Sequence, residues 1–326
     1  MERQILVPLD GSLLAESVIP YAVELARAEG NALHLLRVIT PATVAPSLAW
    51  PMPAPVNIER WLEADRQAAR DYLNLLGNQI SAAEVKVQTT VAEGNPAEII
   101  IGLARSKVSS IATIAMATHG RRGVERWVLG SVAEKVLHAA PVPLLLVRGT
   151  PSDTPAEVGT PYHPLVFDRS YRRIVVPLDG SDLAEQALTE ARLLAYTLDA
   201  TLLLIAVVPF WDDVGLSEPG VLPSWTIDGQ QHLREYAAQY LESVAAPLRD
   251  SGLTVETHWV DGDPPEAIAA TAERESADMI VMATHGRSGF SRLWLGSVAT
   301  QVVRQSSVPV LMIRAKQAEH GDKSAV

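Results

Sequence analysis

The stretch MATHGRRGVERWVLGSVAEKV, Met116 to Val136, returns almost unchanged as MATHGRSGFSRLWLGSVATQV, Met282 to Val302. In each, an apolar strand runs into a glycine turn and a basic loop, and Gly-Ser then opens a helix. Backbone N–H groups at a helix start lack intrahelical acceptors and carry the positive end of the helix dipole, so an anion such as phosphate is stabilised there. Its double occurrence predicts a duplicated nucleotide-binding domain.

The repeat extends well beyond this motif. ILVPLDGSLLAE from Ile5 matches IVVPLDGSDLAE from Ile174, an offset of 169. LLRVITP ending at Pro41 matches LIAVVP ending at Pro209, EGNPAEII at Glu93 matches DGDPPEAI at Asp261, and PVPLLLVR at Pro141 matches SVPVLMIR at Ser307, with offsets of 168, 168 and 166. A period this long means two whole domains rather than a solenoid, whose repeats run to about 20–50 residues. The 326 residues agree, since single domains cluster near about 100–150. The expected boundaries are a first domain over 1–149, a proline- and glycine-rich linker over 150–171, a second domain over 172–315 and a mobile polar tail over 316–326.

Within the first copy the pattern predicts strands at Gln4 to Leu9, Ala32 to Ile39, Val85 to Ala92, Ile111 to Ala117 and Leu144 to Arg148. Helices are predicted at Leu13 to Glu29, Glu59 to Ile80, Pro96 to Ser106 and from Ser131. Strands apolar on both faces and separated by helices indicate a parallel sheet with helices on each side. Right-handed crossovers then make each copy a five-stranded, doubly wound α/β domain of Rossmann-like type. Ligands of such sheets bind beyond the carboxyl ends of the strands where strand order reverses, here between strands one and four. Those ends carry PLDGS (Asp10, Asp179) and ATHG (Gly120, Gly286).

Several chemistries are disfavoured. The chain has no cysteine, which removes disulfides and thiolates. Neither the G-x-G-x-x-G fingerprint nor a Walker A loop, G-x-S-x-G or H-E-x-x-H occurs. A net charge of −11 argues against nucleic acid and anionic membranes as partners. The acidic excess lies wholly after residue 150, with 13 basic against 24 acidic residues. The glycine loops stay locally basic, with Arg121, Arg122 and Arg126 in one and Arg287 and Arg292 in the other. The chain enters an apolar strand directly after MERQ, and its longest apolar run, Leu202 to Trp211, falls short of the roughly 20 residues of a membrane span. A cytoplasmic location is expected.

The PLDGS strand end, the ATHGR turn and the later LGSVA resemble the universal stress protein family, and the two copies resemble its tandem form. The resemblance implies an adenine nucleotide alpha hydrolase-like fold and the binding of ATP or a related adenine nucleotide, with magnesium or manganese. ATP-binding members carry G-x-x-G, nine residues, then G-[ST]. Gly120, Gly130 and Ser131 fit, as do Gly286, Gly296 and Ser297, while Ala117 and Ala283 replace the first glycine. Alanine would be poor there only at positive φ, which a strand end does not require.

By the same resemblance Asp10 and Asp179 lie beside the nucleotide and hold a phosphate-bound metal ion; the competing reading makes each a turn or cap residue. Val38 and Ala206 fall where a backbone contact to adenine is expected. Arg121, Arg287, Val132 and Val298 flank the phosphate path. His119 and His285 tempt as bases, but no nucleophile or orienting partner accompanies them, so they are expected to bond or pack against the ligand. The long connections after strand two are candidate lids: Pro41 to Asn57 is uncharged, whereas Pro209 to Gly229 holds Asp212, Asp213, Glu218 and Asp228. Trp50, Trp211 and Trp225 in these connections are expected to pack on their own domains rather than cover adenine. The resemblance also implies pairing of the two copies through their final strands, Leu144 to Val147 and Val310 to Ile313, and a homodimer. The expectation is a binding module in stress response; a nucleotide-hydrolysing or nucleotidyl-transferring enzyme and an interaction scaffold are the alternatives.

Overall fold

Alternating apolar and amphipathic segments of the first copy fold as β1 (Gln4–Leu9), α1 (Leu13–Glu16), α2 (Ile19–Glu29), β2 (Ala32–Ile39), α3 (Ile58–Ser81), β3 (Val87–Glu93), α4 (Pro96–Arg105), β4 (Ile111–Ala117), α5 (Ser131–Ala139) and β5 (Leu144–Val147). This computed structural model describes residues 2–40, 58–118, 129–148, 165–167, 169–209, 224–284 and 296–315. The strands pair in the order β3-β2-β1-β4-β5, all parallel. Right-handed crossovers put α2 and α3 on one face and α4 and α5 on the other; α3 packs on β2 and β3, and α4 on β4 and α5.

Burial follows position in the sheet. Ile5, Leu6 and Val7 of central β1 are fully buried, because both faces carry helices, at about 25 cal/mol per Å² of apolar surface removed from water. Edge strand β3 instead exposes Gln88 and Thr89.

The second copy repeats the plan with β6 (Arg173–Pro177), α6 (Asp182–Glu185), α7 (Ala187–Leu198), β7 (Thr201–Val208), α8 (Ser224–Asp250), β8 (Val255–Asp261), α9 (Pro264–Arg274), β9 (Met279–Thr284), α10 (Ser297–Gln305) and β10 (Val310–Arg314). Its strands pair β8-β7-β6-β9-β10, again parallel. Each copy is therefore the expected five-stranded, doubly wound domain, with strands one and four adjacent. No helix among the described residues is long and apolar enough to cross a membrane.

One predicted helix is divided. Leu13 to Glu29 reads as a single helix, yet α1 and α2 are separated at Ser17 and Val18, whose backbones stay in the right-handed region (φ −57° and −76°). Pro20 suits such a break because it brings no N–H and crowds the carbonyl of Glu16. The second copy breaks at Gln186 with Thr189 in the proline position, so packing sets the break.

Contacts divide the chain into units Met1–Tyr171 and Arg172–Val326. Part of the expected linker belongs to the first unit. Leu165 N–H donates to Gln79 Oε1 at 2.8 Å, Arg169 lies 4.9 Å over the Tyr21 ring, and Tyr171, 1% exposed, donates its hydroxyl to the Tyr21 carbonyl at 3.0 Å. In the second unit Asp278 accepts from the backbone N–H groups of Arg172 and Arg173 at 2.7 and 2.9 Å.

Candidate functional site

The carboxyl edge of the first sheet gathers three segments. β4 ends at Ala117, and the chain returns at Gly130, whose N–H donates to the Thr118 carbonyl at 2.8 Å. Thr118 N–H in turn donates to the Val147 carbonyl at 2.9 Å. The start of α5 is thereby fixed against the ends of β4 and β5. Ala117 is 7% exposed and pairs with Val147 as ordinary strand, so the left-handed conformation that would penalise alanine does not arise.

Gly130 caps α5 without a side-chain hydrogen bond, at φ −59° and ψ 144°. The first intrahelical bond is Glu134 N–H to the Gly130 carbonyl at 2.8 Å. The N–H groups of Ser131, Val132 and Ala133 precede it, at the positive end of the helix, and Ser131 is exposed. A serine or aspartate cap would fill this position with its own oxygen; glycine has no side-chain oxygen to place there. Gly296 caps α10 in the same way (φ −53°, ψ 137°), followed by exposed Ser297 and half-buried Val298. Ala283 pairs with Ile313, and Ala315 N–H donates to the Thr284 carbonyl at 3.0 Å.

Strand one delivers the carboxylates. Asp10 Oδ1 accepts from Ser12 N–H at 3.0 Å and from the Ser12 hydroxyl, and Ser12 Oγ accepts from Ala15 N–H at 3.1 Å to cap α1. Gly11, at φ 76°, makes the turn between them. Asp179, Gly180 at φ 82° and Ser181 repeat this with 3.0 and 2.6 Å contacts to Asp179 Oδ1. Each aspartate therefore has the turn role that competed with metal binding. Asp10 is half-buried and Asp179 exposed.

A second pair of groups stands behind each turn. The Tyr72 hydroxyl of α3 donates to Glu16 Oε1 at 2.9 Å, and the Tyr240 hydroxyl of α8 to Glu185 Oε1 at 2.9 Å. Burial above all, then the Glu16 carboxylate, pushes the Tyr72 hydroxyl well above its usual pKa; burial and Glu185 do the same for Tyr240. Both tyrosines thus stay neutral donors. At the far end of each sheet Arg66 pairs with Glu93, and Arg234 grips Asp261 with two bonds of 3.1 and 2.9 Å. These ion pairs tie α3 and α8 to the ends of the third strands.

Val38 and Ala206 stand near the carboxyl ends of β2 and β7, opposite Ala92 and Trp259. The first domain thus brings Asp10, Val38, Ala117, Gly130, Ser131 and Val132 to one edge, and the second brings Asp179, Ala206, Ala283, Gly296, Ser297 and Val298, although the register matches Val38 to Val207 and sets Ala206 one residue earlier. His119, Gly120, Arg121, His285, Gly286, Arg287, Trp50, Trp211 and the acidic residues Asp212, Asp213 and Glu218 lie outside the described residues, as do the side chains of Trp225 and Asp228.

Sequence reasoning missed Glu16, Tyr72 and Arg37. Arg37 Nη1 donates to the Leu9 carbonyl at 3.3 Å, immediately before Asp10. Its signal was a charge inside the apolar strand ALHLLRVI, where the other copy has alanine.

A metal ion fits this edge only in company. Among the described residues no group of three or more His, Asp or Glu side chains could hold one. A single carboxylate at each strand end matches an ion such as magnesium, which keeps waters and takes most of its other oxygens from phosphate.

The sequence profile of the universal stress protein family matches residues 1–148 and 170–314. The chain belongs to the universal stress protein family. A universal stress protein of Methanocaldococcus jannaschii is 35% identical over 149 residues, covering 46% of this chain and 85% of its own length. One from Mycolicibacterium smegmatis is 25% identical over 320 residues, covering 97% of this chain and 98% of its own. The crystal structure of a universal stress protein from Archaeoglobus fulgidus aligns at a TM-score of 0.65 with 25% identity, over 95% of this chain and 98% of that one. The tandem arrangement of universal stress protein domains therefore runs the length of the chain, as the repeated motifs implied.

Proposed function

We propose that each domain binds ATP or a related adenine nucleotide and that the chain acts as a regulatory binding module of the stress response rather than as an enzyme. The carrying observation is the uncapped Gly-Ser helix start at the carboxyl edge beside Asp10 and again beside Asp179. The α and β phosphates would meet the Ser131 to Ala133 and Ser297 to Ala299 N–H groups, with adenine toward Val38 and Ala206. Asp10 and Asp179 would each offer one carboxylate to a magnesium or manganese ion carried in on the phosphates. Such an ion supplies charge neutralisation.

The test is a melting experiment. ATP at 100 times its dissociation constant stabilises the domain that holds it by about 2.7 kcal/mol, a shift of several degrees. The double variant Gly130→Val, Gly296→Val fills both phosphate paths and should lose the shift while keeping its fold. A folded double variant that still shifts with ATP would place the nucleotide elsewhere. ATP returned unchanged after prolonged incubation with the wild-type chain supports a binder; accumulating ADP would favour the enzyme.

A further inference from the structure

The duplication puts an arginine at one edge and an alanine, Ala206, at the other. Arg37 lies opposite Leu9 in β2, and the matching residue of β7 is Ala206, since Ile205 lies opposite Pro177 as Leu36 lies opposite Pro8. Beyond its bond to the Leu9 carbonyl, the charge of Arg37 acts on Tyr72, on which Glu16 and Asp10 also act. In the second domain the matching Ala206 is buried and uncharged, and the charged side chains that act on Tyr240 are Glu185 and Asp179. Among the described residues, then, the first edge sets two carboxylates against a permanent cation, since a guanidinium does not deprotonate in proteins. The second sets two carboxylates against none.

We propose that Arg37 makes nucleotide binding by the first domain independent of a divalent cation, whereas the second domain requires one. This rests on the adenine-nucleotide reading above. Among the described residues, a triphosphate approaching the second edge meets the Asp179 and Glu185 carboxylates without a counterpart of Arg37, across a partly desolvated gap where Coulomb repulsion exceeds its value in bulk water. An ion shared between Asp179 and the phosphates reverses the sign of that contact. At the first edge Arg37 already offsets a carboxylate, so the added ion contributes less. Arg37 is a specificity-determining residue in this sense, acting through charge next to Asp10.

Calorimetric titration with ATP separates the sites, because Gly296→Val leaves the first and Gly130→Val the second. With EDTA in place of magnesium, the first site should change affinity by less than about threefold and the second should weaken by tenfold or more. Adding Arg37→Ala to Gly296→Val should give the first site the same tenfold dependence. Arg37→Lys, which keeps the charge, should leave it independent, so a merely structural role for the arginine is distinguished from an electrostatic one. Binding at both sites with equal response to EDTA overturns this proposal and leaves the nucleotide reading intact. No binding at either site in magnesium overturns both.

Discussion

His34 shows how a single residue ties stability to pH. Its side chain is 4% exposed in β2, with Nε2 2.8 Å from Thr90 Oγ1 and no hydrogen-bond partner for Nδ1. Burial lowers its pKa below the ordinary 6.5, because the charged form is penalised. The native domain therefore excludes a proton that the unfolded chain accepts below pH 6.5. Stability is full above that pH and falls as the pH drops toward the native value, by at most about 1.4 kcal/mol per pH unit. His34→Leu, the residue found at the matching position Leu203, should flatten the unfolding free energy of the first domain between pH 7 and 5; an unchanged slope would assign it to other groups. At this scale the site was partly legible. Asp10 and the Gly130-Ser131 start announce themselves because turn chemistry and helix starts are local, whereas Arg37, Glu16 and Tyr72 meet only through packing between β2, α1 and α3.

Element by element, the sequence carried the sheet almost completely, since buried parallel strands are short apolar runs and α1, α4 and α6 begin with side-chain caps at Ser12, Asn95 and Ser181. β4 runs from Ile111 to Ala117 as the pattern predicts. The division of α1 from α2 was hidden, because the backbone stays right-handed through the break and the periodicity hardly changes. The far ends of α2 and α7 give a sharper contrast. Gly30 closes α2 at φ 65°, but Asp199 closes α7 at φ 52°, a left-handed conformation that costs a residue with a Cβ. Asp199→Gly should raise the unfolding free energy of the second domain by about 0.5–1 kcal/mol, read by chemical denaturation. A loss of stability would show that the aspartate side chain contributes more at this helix end than its backbone strain removes.

For the whole molecule, repetition was the strongest signal, and the boundary the weakest. Prolines and glycines place a linker over 150–171, yet Leu165, Arg169 and Tyr171 make their contacts with the first unit. Polar composition hides such docking because few apolar positions are involved. A fragment ending at residue 149 should therefore melt below one ending at residue 171, since Tyr171 alone leaves a buried contact when removed and aromatic losses cost about 3–5 kcal/mol. Equal melting temperatures would mean the segment rests on the domain without stabilising it. Mixing fragments 1–171 and 172–326 on a sizing column checks the expected pairing of the copies. The docking of Tyr171 has a consequence for the severed chain. A protease that nicks the backbone between 150 and 164 leaves residues 165–171 covalently joined to the second domain while still inserted in the first. Like a peg left in its socket, this segment would keep the two fragments together, and denaturing electrophoresis would report a cleavage that native electrophoresis does not.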